Sequence, residues 1–460
     1  MSIAKVQNRK LFSGTATNVV ADDGVALRWY EKVLLGTIIF EVPLQIDKLL
    51  MYREPDGALG AVAGINVSIG TFALLGLYFV WLIRKVDVMS KPVSNRVYGF
   101  PLLIYLAAVF ISLATADVQL LAVFDLLLLI QGYMLFYYVA NRVRTIPDLK
   151  WILIMLCSTV IFQSLLIFVT GYFAESLYDG KRVYFGPLSI EVGDEGRPGG
   201  SLHSPTLAGS YLALLWLPAL AMLMTPVKGL FRWVATATVV LGAMAILMTQ
   251  TRGAILTTGL GTMAVTGFCL ARGWFPVRLL VVGLLVAAAG IVPLLGVIKN
   301  RVGGDDRGSA EARIHLSEIA WEVIQDKPIF GVGAGNCHLA GLRYANHAEY
   351  RSLWYFTVHC KYLLVWVETG LVGLIAFIIL LGSGIRNSIS VWMTRNRLLA
   401  PLGLGLAVAI MGNMVHMIVD IFNSRPQVFS LWTLIGLAAA MRVIALEQPA
   451  ADESPEVSHG

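Results

Sequence analysis

The sequence predicts an all-helical protein that crosses a membrane many times, and its composition and hydropathy carry this prediction. Hydrophobic residues make up 57% of the 460 residues, whereas charged residues make up 14%. The mean hydropathy is +0.72. The apolar residues also come in runs that can cross about 30 Å of hydrocarbon at about 1.5 Å per residue. Soluble domains have a more even composition, so the soluble classes are excluded.

About twelve runs have the length and hydropathy of a transmembrane helix. The first is interrupted by Glu41 and Pro43, so eleven spans are the alternative. The predicted spans lie near residues 33–49, 60–83, 98–115, 118–140, 151–172, 206–224, 231–250, 253–271, 277–297, 362–384, 398–421 and 426–445.

The distribution of Lys and Arg predicts the orientation, because short cytoplasmic loops retain positive charge during insertion. Basic residues collect in the N-terminal tail and in alternate loops, so both termini are predicted to be cytoplasmic. The formal net charge of +6 then reflects topology, and no nucleic-acid motif accompanies it. The predicted organisation is a cytoplasmic tail over 1–28, one membrane domain over 29–445, and a disordered cytoplasmic tail over 446–460. Two long outer loops cover about 173–205 and 298–361.

The larger outer loop contains a predicted amphipathic helix of about 309–326, which Pro328 ends. Its apolar face covers either the membrane surface or the bundle. The following GVGAGN stretch at 331–336 is predicted to form a tight turn, since no strand precedes it as a dinucleotide-binding loop requires. Cys337 and Cys360 fall in the same loop, where an oxidising compartment permits a disulfide; two free thiols are the alternative.

Several motifs between residues 196 and 373 resemble the O-antigen ligase and O-antigen polymerase superfamily of bacterial envelope enzymes. A weaker similarity is GRPGGSLHSPTLAGSYL at 196–212. The others are TQTRGA at 249–254, EARIHLSEIAW at 311–321, GVGAGN at 331–336, and the stretch from His359 through Glu368 to Gly373.

The resemblance implies transfer of a glycan from a polyprenyl (undecaprenyl) diphosphate carrier to an acceptor sugar hydroxyl. It places the reaction at the periplasmic face of the bacterial inner membrane. On this interpretation His359 is the catalytic base, because histidine titrates near neutrality. Arg252 and Arg313 bind the diphosphate, since guanidinium groups pair bidentately with phosphate oxygens. The structural alternatives are an interfacial histidine, a helix-anchoring Arg252 and a solvated Arg313.

Further polar residues are weaker candidates. Glu368 lies nine residues after His359, half a helical turn out of phase, so it is not expected to orient that histidine unless the helix begins after His359. Glu368 is instead expected to pack or hydrogen-bond within the bundle, whereas the other intramembrane polar groups either line a substrate cavity or pair with neighbouring helices. The weaker diphosphate-binding candidates are Arg197, Arg301, Arg307 and Arg425, and the intramembrane candidates are Glu368, Asp125, His416 and Asp420.

The predicted chemistry is an inverting displacement that uses no cofactor and no metal. A metal-dependent transferase using Asp305 and Asp306 is the less favoured alternative, because no DxD pattern occurs in an outer loop. A proton-coupled transporter or lipid-linked glycan flippase is the rival from another class. The acceptor is either a carrier-linked repeat, as in polysaccharide or exopolysaccharide polymerisation, or a lipid A core sugar, as in O-antigen ligation. The polymerase branch is weakly favoured.

Overall fold

The computed structural model describes residues 26–52, 62–83, 100–173, 182–185, 187–192, 196–274, 309–344 and 356–447. The predicted span at 277–297, the candidates Arg301 and Arg307, and Asp305 and Asp306 lie outside these residues. So do most of the predicted N-terminal tail and residues 448–460 of the predicted C-terminal tail.

The described chain is mostly helical, as the sequence predicts. We number its α-helices in chain order: α1 (Trp29–Glu41), α2 (Ile69–Ile83), α3 (Phe100–Ser112), α4 (Gln119–Arg142), α5 (Ile146–Tyr172), α6 (Pro205–Leu223), α7 (Leu230–Thr249), α8 (Arg252–Ala271), α9 (Ser309–Asp326), α10 (Cys337–Tyr344), α11 (Lys361–Trp392), α12 (Leu399–His416) and α13 (Arg425–Glu447).

Eight of these helices are long and apolar enough to cross a membrane, namely α4 to α8 and α11 to α13. Helices α2 and α3 are apolar but shorter. The chain is therefore a polytopic membrane protein, and each of these eight helices overlaps a predicted span. Most ends agree to within five residues, but α11 continues to Trp392, eight residues beyond its predicted end.

The first two predicted spans are partly wrong. Helix α1 ends at Glu41, and a 3-10 turn containing Pro43 follows it. Proline lacks the N–H that a continuing helix needs, and Gln45 then adopts a left-handed conformation with φ 51°. Strands β1 (Asp47–Leu50) and β2 (Ile65–Ser68) pair as an antiparallel ribbon, so the second span begins only at α2.

A second small sheet also departs from the all-helical prediction. It lies in the segment predicted to be the first long outer loop, where β3 (Arg182–Phe185), β4 (Leu188–Val192) and β5 (Pro198–Gly200) pair antiparallel in that order. The membrane-spanning part of the prediction is unaffected, because both sheets lie between helices.

Helices α6, α12 and α13 form the most enclosed part of the bundle. Helix α6 contacts α5, α7, α8, α12 and α13. Close approach depends on small residues: a Cβ on Gly405 of α12 would lie 2.4 Å from the Cβ of Ala221. The remaining long helices bury one face and expose apolar side chains on the other, as helices in contact with lipid do.

Helices α9 and α10 form a cap over one end of the bundle, which we call the cap end. The bounds of α9 match the predicted amphipathic helix, and that prediction is confirmed. Its apolar residues Leu316, Ile319, Ala320 and Val323 are buried against α10 and α11. The apolar face of α9 therefore covers the bundle.

The GVGAGN turn packs against a kink in α11. Gly370 has φ +71° inside the helix, and a Cβ there would lie 1.8 Å from the carbonyl oxygen of Ile329. The carbonyls exposed by the kink accept N–H groups of the turn: Val332 N donates to Val367 O at 2.8 Å, and Gly333 N to Glu368 O at 3.0 Å. The turn is thus part of the helix packing.

Candidate functional site

His359 lies at the cap end, two residues before α11 begins. Its side chain is half-buried, and its Nδ1 lies 3.0 Å from the carbonyl oxygen of Thr357. A carbonyl oxygen only accepts hydrogen bonds, so Nδ1 carries the proton in this contact. The neutral ring therefore keeps Nε2 as a proton acceptor, which is the tautomer that a general base needs.

The environment of His359 lowers its pKa below the usual value for histidine. Burial is the largest cause, because it disfavours the charged imidazolium, and the positive charge of Arg313 acts in the same direction. The negative charge of Asp420 and the Thr357 contact oppose this shift. At neutral pH the ring is consequently unprotonated and able to accept a proton.

Arg252 is exposed at the first residue of α8. The turn before it is fixed from two sides. Thr251 is buried and donates its hydroxyl to the carbonyl of Pro205 at 2.9 Å, where α6 begins. The guanidinium of Arg197 donates through Nε to the carbonyl of Thr249 at 3.0 Å. The weaker candidate Arg197 therefore supports the turn that presents Arg252.

His416, at the end of α12, packs directly on the start of α8. A Cβ placed on Gly253 would lie 3.0 Å from His416 Nε2, so the ring rests against the residue that follows Arg252. Arg313, which is exposed on α9, lies within electrostatic range of both His359 and His416. The fold thus assembles the two histidines with Arg252 and Arg313 at the cap end.

Asp420 is an acidic residue that acts electrostatically on both histidines. It lies in the connection between α12 and α13, and its Oδ2 is 3.9 Å from His416 Nε2. Gln427 Nε2 donates to the same oxygen at 2.9 Å. Asp420 also acts electrostatically on His359 and Lys361. A negative charge therefore lies within an otherwise cationic site.

A small cavity lies beside this site. Its lining includes Asp125 of α4 with Lys361 and Glu368 of α11, all buried. Glu368 accepts a hydrogen bond from Gly335 N at 3.0 Å, and Lys361 Nζ donates to Asn423 Oδ1 at 2.9 Å. The ammonium lies within electrostatic range of both carboxylates, which reduces the cost of burying them.

The guanidinium of Arg425 forms an ion pair inside the bundle. Nη1 and Nη2 contact the two carboxylate oxygens of Glu41 at 3.0 and 2.6 Å, and Nη2 also donates to Ser68 Oγ at 2.7 Å. Its charge lies over the ring of Phe429. This buried pair joins α13 to α1 and to the strand before α2, so Arg425 is better explained as a structural residue than as a phosphate ligand.

The four cysteines all lie in the described residues and are free, so Cys337 and Cys360 form no disulfide in this structure. Cys337 is buried in the small core under the cap, and burial raises the pKa of its thiol to about 12. Within the described ranges, no group of three or more His, Cys, Asp or Glu side chains has a metal-binding arrangement.

Sequence reasoning missed Lys361, Gly253 and Gln427. Lys361 carried a usable signal, because a lysine at the start of an apolar span is costly unless it has a partner. Gly253 and Gln427 carried none, since their roles depend on contacts with α12 and α6 that no local pattern encodes.

Taken together, the fold and this site define a polytopic membrane protein with a cationic, histidine-containing centre beneath a helical cap. Residues 237–378 match the family model described as O-antigen ligase. The match extends from α7 into α11 and covers Arg252, Arg313 and His359. It confirms the resemblance to the O-antigen ligase and polymerase superfamily. A search of curated proteins found no match. At the family level, the match supports a ligase or polymerase type of glycosyltransferase activity that uses lipid-linked glycans.

Proposed function

We propose that this protein transfers a glycan from a polyprenyl diphosphate carrier, such as undecaprenyl diphosphate, to an acceptor sugar hydroxyl. The reaction takes place at the cap end, which we assign to the periplasmic face of the inner membrane. The observation that carries the proposal is the placement of a neutral His359, with Nε2 free of the Thr357 contact, in a site that also contains Arg313 and Arg252.

The two arginines have the chemistry that a diphosphate leaving group requires. Arg252 stands at the N-terminus of α8, where unpaired backbone N–H groups and the helix dipole favour an anion. Arg313 extends the positive charge from the cap. Fixed cations of this kind neutralise the charge that develops on the leaving oxygen, so no general acid is needed.

His359 supplies the base. In the proposed step its Nε2 takes the proton of the acceptor hydroxyl while the acceptor oxygen bonds to the anomeric carbon of the donor. The bond from that carbon to the diphosphate oxygen breaks, and its electron pair leaves with the diphosphate. A single displacement inverts the anomeric configuration and needs no covalent sugar intermediate.

The acceptor decides between polymerase and ligase. A second carrier-linked repeat would extend a polysaccharide or exopolysaccharide, whereas a lipid A core sugar would receive a finished O-antigen. The described part of the cap has both acidic and basic exposed residues. We favour polymerisation because the cap sequence lacks a strongly basic surface for a phosphorylated lipid A core.

The proposal is tested by glycan transfer in proteoliposomes with an oligosaccharide linked to polyprenyl diphosphate. We expect His359→Gln to lower kcat by about 10² to 10⁴-fold, and Arg252→Ala to raise the KM for the donor. The matched control is His315→Gln, because His315 also lies on the cap and pairs there with Glu311 and Glu318 of its own helix. EDTA is expected to leave transfer unchanged.

Full activity of a folded His359→Gln variant would remove the proposed base, and a product with retained anomeric configuration would exclude a single displacement. Carrier-linked chains as product would identify a polymerase, and glycan on lipid A core a ligase. If the wild type turns over no such donor, the transporter or flippase hypothesis takes precedence.

A further inference from the structure

A short chain of hydrogen bonds fixes the orientation of the Asp420 carboxylate. Gln427 Nε2 donates to Asp420 Oδ2 at 2.9 Å and lies 2.6 Å from Ser210 Oγ of α6. The hydroxyl of Ser424 donates to Gln427 Oε1 at 2.8 Å. Gln427 is 3% exposed, so its amide is fixed by the bundle. The position of the carboxylate is therefore built into the packing of α6 against α13.

The connection that carries Asp420 is also tied to the segment that carries His359. Lys361 N donates to the carbonyl of Met417 at 2.8 Å, and Lys361 Nζ donates to Asn423 Oδ1 at 2.9 Å. The two acceptor residues, Met417 and Asn423, lie on either side of Asp420 in the chain. Because His359 precedes Lys361 by two residues, these two bonds hold the carboxylate and the imidazole in the same part of the site.

A base in a diphosphate-binding site faces an electrostatic problem. The cations that bind the donor also oppose protonation of the base, and here Arg313 on α9 acts on His359 in this way. From α12, His416 is a second group that becomes cationic when protonated, and its ring packs on Gly253 of α8, which follows Arg252 in the chain. The ammonium of Lys361, on the same segment as His359, is directed to Asn423. Among the described residues, Asp420 is the acid that acts on His359.

We propose that Asp420 is a positioning residue of this site, whose fixed negative charge stabilises the imidazolium that His359 becomes when it removes the acceptor proton. This inference rests on the proposed function. In the proposed step the proton moves from the acceptor oxygen to His359 Nε2, and the electron pair of the broken bond leaves with the diphosphate, so Asp420 exchanges no proton. The same carboxylate lies 3.9 Å from Nε2 of His416, whose ring packs against Gly253.

The test compares variants by two readouts: the pH dependence of kcat/KM in proteoliposomes, and the NMR titration of ring-labelled histidine in the full-length protein. The His359 signal is assigned by its loss in His359→Gln. Asp420→Asn removes the charge but retains an oxygen that can accept from Gln427. We expect both the acidic limb and the His359 titration to move down by about 0.5 to 1 pH unit. We also expect kcat to fall on the order of 10-fold.

Three further variants sharpen the result. Arg313→Gln removes the opposing charge, so the His359 titration is expected to move up in pH. Asp420→Glu retains the charge and is expected to restore much of the titration shift. Glu322→Gln is the matched control, because it removes one negative charge from an exposed position on the cap that does not act on His359. It is expected to leave the titration unchanged.

Loss of activity in Asp420→Asn without a shift in either readout would assign Asp420 a merely structural role and overturn the inference. If Asp420→Asn does not fold, Gln427→Met serves instead. It keeps the Asp420 carboxylate but removes the hydrogen bond that orients it. We expect a smaller shift of the same sign, and no shift would equally overturn the inference. Absence of turnover in the wild type would contradict the proposed function, while the histidine titration would still report on Asp420.

Discussion

At the scale of single residues, an arginine has the same appearance in the sequence whether it binds substrate or supports the fold. Arg425 pairs with Glu41 inside the bundle, Arg197 supports the turn before α8, and Arg252 is exposed at the start of that helix. Sequence reasoning ranked Arg252 first from the TQTRGA motif. It had no means of finding the partner of Arg425, because Glu41 lies 384 residues away in the chain.

Gly253 offers a direct test of the contact between the start of α8 and His416. In Gly253→Ala the new Cβ would lie 3.0 Å from His416 Nε2, so the ring must shift. The required shift is a few tenths of an ångström. Because displacements of about 1 Å can cost about 10²-fold in rate, we expect kcat to fall by up to about 10-fold with little change in Tm. Gly267→Ala on the same helix is the control, because its Cβ would meet no atom within 4 Å. Equal activity of the two variants would contradict the assigned role of the contact.

At the scale of elements, the site is made from the ends of helices. Arg252 begins α8, His416 ends α12, and His359 lies two residues before α11. Hydropathy predicts such ends to within a few residues, because apolar runs stop where the chain leaves the hydrocarbon. The kink of α11 was not predicted, since glycine inside an apolar run also occurs in straight helices. Its cause is the tertiary contact with the GVGAGN turn.

The kink leads to a prediction about stability. Gly370→Ala places a Cβ 1.8 Å from the carbonyl oxygen of Ile329, at a φ of +71° that residues with a side chain rarely adopt. We expect a clear fall in Tm together with loss of transfer, because the turn and Glu368 would be displaced.

Gly382→Ala is the matched control in the same helix, because its Cβ would meet no atom within 4 Å. It is expected to be neutral or to stabilise by up to about 1 kcal/mol, since alanine favours helix more than glycine does. Thermal unfolding in detergent measures both variants, and equal Tm values would show that the kink is not required.

At the scale of the whole molecule, the bundle brings together residues that are far apart in sequence. Helix α12 lies against both α8 and α11, and α9 covers α11. Arg252, Arg313, His359 and His416 are therefore gathered at one end. The distribution of Lys and Arg in the loops predicts that this end faces the periplasm.

Cysteine labelling tests that orientation. The background is Cys360→Ser, because the other three cysteines are buried. Glu322→Cys on the cap and Arg395→Cys between α11 and α12 are both exposed positions. A membrane-impermeant maleimide added to right-side-out vesicles is expected to label only the first, and in inverted vesicles only the second. The reverse pattern would place the site on the cytoplasmic side.

The sequence by itself determined the membrane class, the course of the long spans and the amphipathic cap helix, because these depend on local hydropathy and helical periodicity. Through its motifs it also indicated His359, Arg252 and Arg313. Only the tertiary structure decided that Arg425 pairs with Glu41 inside the bundle, that Glu368 binds the GVGAGN turn, and that Asp420 lies near His416 and acts electrostatically on His359. Those roles depend on which groups come into contact across the bundle. A hydrogen bond or ion pair between distant segments produces no periodic pattern in the sequence, so it cannot be predicted from hydropathy or helical periodicity.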